Sequence, residues 1–420
     1  MRCLVVASLV GSLLAGCAPQ EPAPRAADAE RGEAGTPAIL EVRHLEPPAA
    51  PGALAPRLTA DATRVWLSWL EPDAEGHRFL TASLDPATGR FGEPAEIAAG
   101  DDFFANWADL PAVVPAGGGR LLAHRLARLG DSVYAYGVEL AVSGDGGRSW
   151  QPAGLLHADG SPQEHGFVSW TRDPSDGAAP AVAAWLDGRA MNEGGPMQLR
   201  AASVPSSGRP ADETLLDPRV CECCATGAAW TAEGPIVVYR DRGEDEIRDI
   251  WRVRWRDGRW SEPAPVAADG WRIAGCPVNG PQVAADGERV AVAWFTAAAG
   301  QPRVLAAFSD DAGETFAPPV TVDDGQPIGR VDLVLDGDAA LVTWLGSSAD
   351  SAAILVRRVG RDGRTGPVHV LAASGHERAA GFPRMARVGA HVVWTWLEPG
   401  DPARLVAAAA PLAEVAPLGG

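Results

Sequence analysis

Ser143-Gly144-Asp145-Gly146-Gly147-Arg148-Ser149-Trp150 and Ser309-Asp310-Asp311-Ala312-Gly313-Glu314-Thr315-Phe316 are two copies of one pattern. Its constant positions are Ser143, Asp145, Gly147 and Trp150 in the first copy and Ser309, Asp311, Gly313 and Phe316 in the second. Each residue type suits a tight hairpin. The aspartate accepts hydrogen bonds from turn N–H groups, and glycine tolerates positive φ. The hydroxyl residues tie the turn back, and the aromatic ring packs into the sheet that the turn belongs to. Degenerate versions stand at Ser83-Leu84-Asp85, with Gly89 and Phe91, and at Arg256-Asp257-Gly258-Arg259-Trp260.

Outward from these turns, a short alternating strand recurs. It reads Arg64-Val65-Trp66-Leu67-Ser68-Trp69, Ala181-Val182-Ala183-Ala184-Trp185, Pro235-Ile236-Val237-Val238-Tyr239 and Arg289-Val290-Ala291-Val292-Ala293-Trp294. Ala340-Leu341-Val342-Thr343-Trp344 and His391-Val392-Val393-Trp394-Thr395-Trp396 continue it, and Arg120-Leu121-Leu122-Ala123-His124 is a copy without the aromatic. Copies lie roughly 50 to 60 residues apart, near the period of propeller blades. A second strand precedes each copy, and two more follow. The sequence therefore predicts an all-β propeller of four-stranded antiparallel blades, seven in number, with six as the alternative. The last unit has room for only three strands. Segment 38–43 is expected to supply the missing outer strand and close the ring, removing exposed sheet edges.

The two turns and the blade pattern resemble the Asp-box repeats of the sialidase superfamily. That resemblance implies a propeller whose ligands bind near the axis, on the face opposite the Asp-boxes. It also implies three arginines on a substrate carboxylate, a Tyr–Glu nucleophile pair and an aspartic acid/base. The stretch corresponding to the first arginine motif, Ala55-Pro56-Arg57-Leu58-Thr59, lacks the Arg-Ile-Pro of that family. The chain has three tyrosines, Tyr134, Tyr136 and Tyr239, and the last falls at a blade-core position. Cys-x-Cys-Cys, Tyr-Arg-Asp-Arg and Gly-Cys-Pro-x-Asn-Gly-Pro segments are similar to those of bacterial sialidase-like lipoproteins without an assigned activity.

Successive strands alternate direction, so mid-blade loops and blade-to-blade links share the face opposite the Asp-boxes. The chemically richest of them surround blades three to five. They contribute Asp187, Arg189, Arg240, Asp241, Arg242, Arg248, Asp249, Asn279 and His165 as candidate ligand-binding residues. Acidic residues also follow the repeated aromatic at Glu71 and Glu398, where a solvated rim is the simpler reading. Cys221, Cys223, Cys224 and Cys276 lie on the links flanking blade four. An exported protein favours disulfides, with Cys221–Cys224 or Cys223–Cys276 the easier pairings. A copper or zinc site, with His165 as a further ligand, is the alternative. A mixed state of one disulfide and two thiols also stays open.

The ends and the composition set the address. Met1-Arg2, an uncharged apolar run from Leu4 to Leu14 and Leu14-Ala15-Gly16-Cys17 read as a lipoprotein signal peptide over 1–16, with Cys17 lipidated. Residues 17–37 read as a disordered tether and 38–420 as one propeller domain. The expected location is the cell envelope; resemblance to enterobacterial lipoproteins implies the outer membrane, since Ala18 and not Asp follows the cysteine. Lipid anchorage makes the membrane one partner. The net charge of −18, with no lysine in the chain, excludes a nucleic-acid surface. Nothing suggests more than a monomer. The leading functional expectation is a recognition module for a small anionic ligand, glycan or protein. The alternatives are a sialidase-like glycoside hydrolase and a metal or redox protein built on the cysteines.

Overall fold

The computed structural model describes residues 37–347 and 351–418. The expected signal peptide, Cys17 and nearly all of the tether lie outside these residues. Seven sheets of strands are arranged as seven blades. Their first strands are Leu54–Ala60, Ala112–Pro115, His165–Thr171, Gly227–Thr231, Gln282–Asp286, Gly329–Asp336 and Arg384–Val388. First strands of neighbouring blades touch one another around most of the ring, so they are the innermost of their sheets. The fold is a seven-bladed β-propeller, as the repeat predicts. Among the described residues no helix is long and apolar enough to cross a membrane.

Closure follows the expected principle with a corrected register. The strand completing blade seven is Arg43–Leu45, antiparallel to Arg404–Pro411. Ala38–Ile39, the start of the expected closing segment, instead pairs parallel with His369–Ser374 of blade six. Leu45 is buried against Val393 and Ala407 in the core cluster shared by blades one and seven, whereas Ile39 is exposed. Burial of that one leucine sets the register, because a shift would turn it to solvent.

The repeated aromatics fill the blade cores. Trp69, Trp185, Trp294, Trp344, Trp394 and Tyr239 are all fully buried. A buried indole N–H without an acceptor costs about 1–3 kcal/mol, and the chain supplies acids for the purpose. Trp69 donates to Glu71 and Trp185 to Asp187, each at 2.8 Å. Trp294 donates to Asp269 at 2.7 Å, Trp344 to Asp323 at 2.6 Å, and the Tyr239 hydroxyl to Asp217 at 2.6 Å. The recurring acid after the aromatic is thus partly a core device. Glu398, by contrast, pairs with exposed Arg404.

Both hairpin turns form the bonds their residues invite. Ser143 Oγ accepts from Gly147 N at 2.9 Å, and Asp145 accepts from the N–H groups of Arg148 and Ser149 at 3.0 Å. Ser309 Oγ and Asp311 repeat the arrangement with Gly313 and Thr315. Gly147 and Gly313 have φ of 90° and 82°, and a Cβ on Gly313 would meet Ile236. These turns mark one face; the links lie on the other.

If the closing strand holds the ring, a chain starting at residue 47 should melt at lower temperature and less cooperatively than one starting at residue 37. Equal melting curves by differential scanning calorimetry would contradict that role.

Candidate functional site

The structure places the sequence candidates in two groups. Asp187, Arg189 and His165 come together at the start of blade three. Arg189 binds the Asp187 carboxylate through Nε and Nη2, both at 2.7 Å, and also reaches Glu213 at 2.7 Å. Around blade four, Arg242 and Arg248 are held between Glu222 and Glu246. Asp249 accepts from the backbone N–H groups of Gly270 and Trp271 at 2.9 Å. Burial pushes the Asp241 carboxyl up to about 6.

Two candidates occupy framework positions. Arg240 is 1% exposed and donates to the carbonyls of Asn279, Arg248 and Phe295. Asn279 accepts from Arg330 N at 2.7 Å and donates to the Ile328 carbonyl at 3.1 Å. The fourth-blade loops are rich in charge because the links need internal partners. Their guanidinium groups are already engaged by carboxylates and carbonyls.

The cysteines resolve into a bonded and an unbonded pair. Cys223 and Cys276 form a disulfide. Cys221 and Cys224 are buried thiols whose sulfurs lie 3.2 Å apart. The hydrogen bond from Cys224 brings the Cys221 thiol down to about 6, with further help from Arg240 and Arg248. Arg248 Nη1 lies 3.3 Å from that sulfur. Burial, the first cause, pushes Cys224 well up. The disulfide withdraws two of the four sulfurs expected for a thiolate metal site. The Sγ atoms of Cys221, Cys223 and Cys224 still lie within 4.8 Å of one another.

A different constellation gathers at the axis, on the link side. Arg57 and Arg384 stand on the adjoining innermost strands of blades one and seven. Arg57 has no hydrogen bond or ion pair among the described residues, and it remains partly exposed although protein surrounds it. Burial, helped by neighbouring Arg384 and opposed by Asp332 and Asp109, lowers its pKa to about 10. Arg384 is 4% exposed, and its Nε lacks an acceptor. Arg330 donates to the Gly381 carbonyl at 2.7 Å and lies 4.8 Å from the Trp107 ring centroid. Trp107 stacks on Phe382, which Arg384 also overlies at 4.9 Å.

Acids complete the group. Asp109 Oδ1 accepts from Phe167 N at 2.8 Å, but Oδ2 is buried without a partner. Burial raises the Asp109 carboxyl to about 7. The Tyr136 hydroxyl, buried beside it, donates to Glu164 Oε1 at 2.7 Å. Burial raises Glu164 too. A side chain on Gly166 would strike Asp109 Oδ2, so glycine here lets the carboxyl approach the strand. Sequence reading had only two signals here: an arginine inside each of two apolar strands, at Pro56-Arg57-Leu58 and Pro383-Arg384-Met385. A cavity of ≈ 860 Å³ opens at the other end of the axis among hairpin turns. It is lined by hairpin-turn residues with Trp66, Trp170 and Trp230, and its charged groups, Asp61, Arg64, Arg120 and Arg172, are exposed or half-buried.

No family model matches the chain. No curated protein matches it either. Solved structures do. Polysaccharide lyase Uly1 superposes with a TM-score of 0.54 at 10% identity, over 88% of this chain and 92% of its own. A PL25 ulvan lyase bound to -[GlcA(1-4)Rha3S]- gives 0.56 at 12%, over 86% and 95%. An α-L-arabinanase from Penicillium chrysogenum gives 0.47 at 12%, over 90% and 99%. The likeness establishes the fold.

Peptide mapping after alkylation under denaturing, non-reducing conditions should find Cys223 linked to Cys276 and label on both Cys221 and Cys224. A Cys221–Cys224 link, or label on Cys276, would contradict the assignment.

Proposed function

We propose that this propeller recognises an acidic saccharide at the link face, with the sugar carboxylate held by Arg57 and Arg384. The observation that carries the proposal is the pair of axial guanidinium groups with no carboxylate within ion-pair distance among the described residues. Burying cations without partners is costly. Two parallel N–H donors on a guanidinium match a carboxylate bidentately. Trp107 and Phe382 add the apolar wall that a sugar ring packs against. A uronate-containing ligand in one fold neighbour is consistent with this reading. So is the sialidase resemblance, although its arginine motif is absent. The proposed site uses the link face at blades one, two, six and seven, whereas the sequence expectation centres on blades three to five.

A hydrolytic reading is favoured by one further feature, the Tyr136–Glu164 hydrogen bond beside Asp109. A tyrosine with a glutamate partner is a nucleophile pair, and an aspartic acid near neutrality can donate a proton to a leaving group. On this reading Arg57 and Arg384 orient the carboxylate, and Asp109 acts as general acid.

The test is titration calorimetry with glucuronate-containing and sialylated oligosaccharides, followed by product analysis of the same mixtures. The wild-type protein should bind an acidic saccharide and not its neutral analogue. Arg57→Met should weaken binding by tenfold or more while leaving the melting temperature unchanged or higher, because it removes a half-buried cation that has no ion-pair partner. No binding to any acidic saccharide, or undiminished binding by Arg57→Met, would overturn the proposal. Products would favour hydrolysis, and binding without products would favour recognition alone.

A further inference from the structure

The four cysteines beside blade four form a graded set, from surface to interior. Cys276 is exposed and Cys223 half-buried, and these two make the disulfide. The thiols Cys221 and Cys224 are at 0% and 1% exposure. Their sulfurs are 3.2 Å apart, and the Sγ atoms of Cys221, Cys223 and Cys224 all lie within 4.8 Å of one another. A buried dithiol therefore sits in reach of a disulfide whose other end meets solvent. Cys221 and Cys224 also stand in Cys-x-x-Cys spacing, which is common to exchanging dithiols.

The surroundings prepare one sulfur for attack. Arg248 Nη1 lies 3.3 Å from Cys221 Sγ and 2.9 Å from Glu222 Oε2. Arg242 and Arg248 are matched by Glu222 and Glu246, two cations against two carboxylates. Arg240 is left over. It is 1% exposed, its hydrogen bonds go to three carbonyls, and no carboxylate lies within ion-pair distance of it among the described residues. A Cys221 thiolate supplies the missing negative charge. The thiolate is the nucleophile in thiol–disulfide exchange, and a guanidinium donor stabilises it. A thiol that served packing alone would need neither the guanidinium nor the neighbouring disulfide.

We infer that these residues form a thiol–disulfide relay, which moves an electron pair from the buried Cys221/Cys224 dithiol to the surface Cys223–Cys276 disulfide and from there to an external disulfide. Cys221 Sγ attacks Cys223 Sγ. The Cys221–Cys223 bond forms, the Cys223–Cys276 bond breaks, and Cys276 leaves as a thiolate at the exposed end. Cys224 Sγ then attacks Cys221 Sγ, which closes Cys221–Cys224 and releases Cys223. The two released sulfurs take one proton from Cys224 and one from solvent, which replaces the proton lost when Cys221 ionised. Cys276 next attacks one sulfur of the external disulfide and expels the other. Cys223 attacks Cys276, restores the Cys223–Cys276 bond and expels the second sulfur, and the protons of Cys276 and Cys223 pass to the expelled thiols. The net change is one external disulfide reduced to two thiols and one Cys221–Cys224 disulfide formed. The external reactant never has to enter the interior, because the exposed disulfide is the way in. The inference does not rest on the saccharide proposal, because none of these residues belongs to the axial arginine group.

The test is alkylation of the folded protein with iodoacetamide, followed by peptide mapping. Cys276 should be labelled although it is bonded at rest, and the labelled chains should carry a new Cys221–Cys223 or Cys221–Cys224 link. Cys221→Ser should cut labelling of Cys276 at least tenfold. If that variant does not fold, Cys224→Ser reads the first step alone: Cys276 should still be labelled, with Cys221 linked to Cys223. Oxidised glutathione is the probe for the external step. The wild-type protein should reduce one equivalent of it and lose both of its own thiols to a Cys221–Cys224 link. The inference would be overturned by label on Cys221 and Cys224 with Cys223–Cys276 intact, by labelling of Cys276 that Cys221→Ser leaves undiminished, by a folded Cys224→Ser variant without the Cys221–Cys223 link, or by oxidised glutathione left unconsumed. Arg57→Met should react like the wild type, which separates failure of this site from failure of the axial one.

Discussion

Closing seven sheets into a ring forces the innermost strand of every blade against a common axis. Side chains at the link end of those strands must then find partners among one another, with little help from water. Most do. Arg240 has three carbonyls, Arg330 a carbonyl and two rings, and Asp332 the backbone N–H groups of Leu333 and Met385. Arg57 and Arg384 do not acquire a carboxylate in this way. The lack of a carboxylate partner on two adjoining guanidinium groups is what distinguishes the axial site from the Arg/Glu networks of the link face.

Structural constraints account for much of the chemistry that looks functional in the chain. Acids accept the indole protons of Trp69, Trp185, Trp294 and Trp344. The Arg/Glu network on the fourth-blade loops neutralises itself, and Asp249 caps a link. The disulfide joins the two links that flank blade four, leaving Cys221 and Cys224 as a close pair of thiols under Arg248. Each arrangement rigidifies the face around the axis. A site meant to hold a charged ligand needs that rigidity, because bound geometry must not relax when the charge arrives.

The blade count was legible because alternation with a terminal aromatic survives in six of seven copies, and because two turns keep every position of their pattern. The closing strand was legible only in kind. Segments 38–39 and 43–45 are both short and both able to pair, and burial of Leu45, a tertiary fact, decides between them. The axial group was not legible. Arg57, Asp109, Tyr136, Glu164 and Arg384 come from distant parts of the chain with ordinary neighbours, and only ring geometry brings them together. Loop composition pointed instead to Arg240 and Asn279, whose donors serve carbonyls inside the frame. His165 and Asp187 were singled out from sequence, but the contact of His165 with Asp159 was not, because it depends on how the link between blades two and three folds.

The most direct measurement is a crystal structure of the propeller soaked with a glucuronate-containing oligosaccharide. The account predicts the sugar carboxylate on Arg57 and Arg384 at the link end of the axis, with a ring against Trp107. Saccharide bound in the cavity among the hairpin turns, with Arg57 and Arg384 untouched, would contradict it.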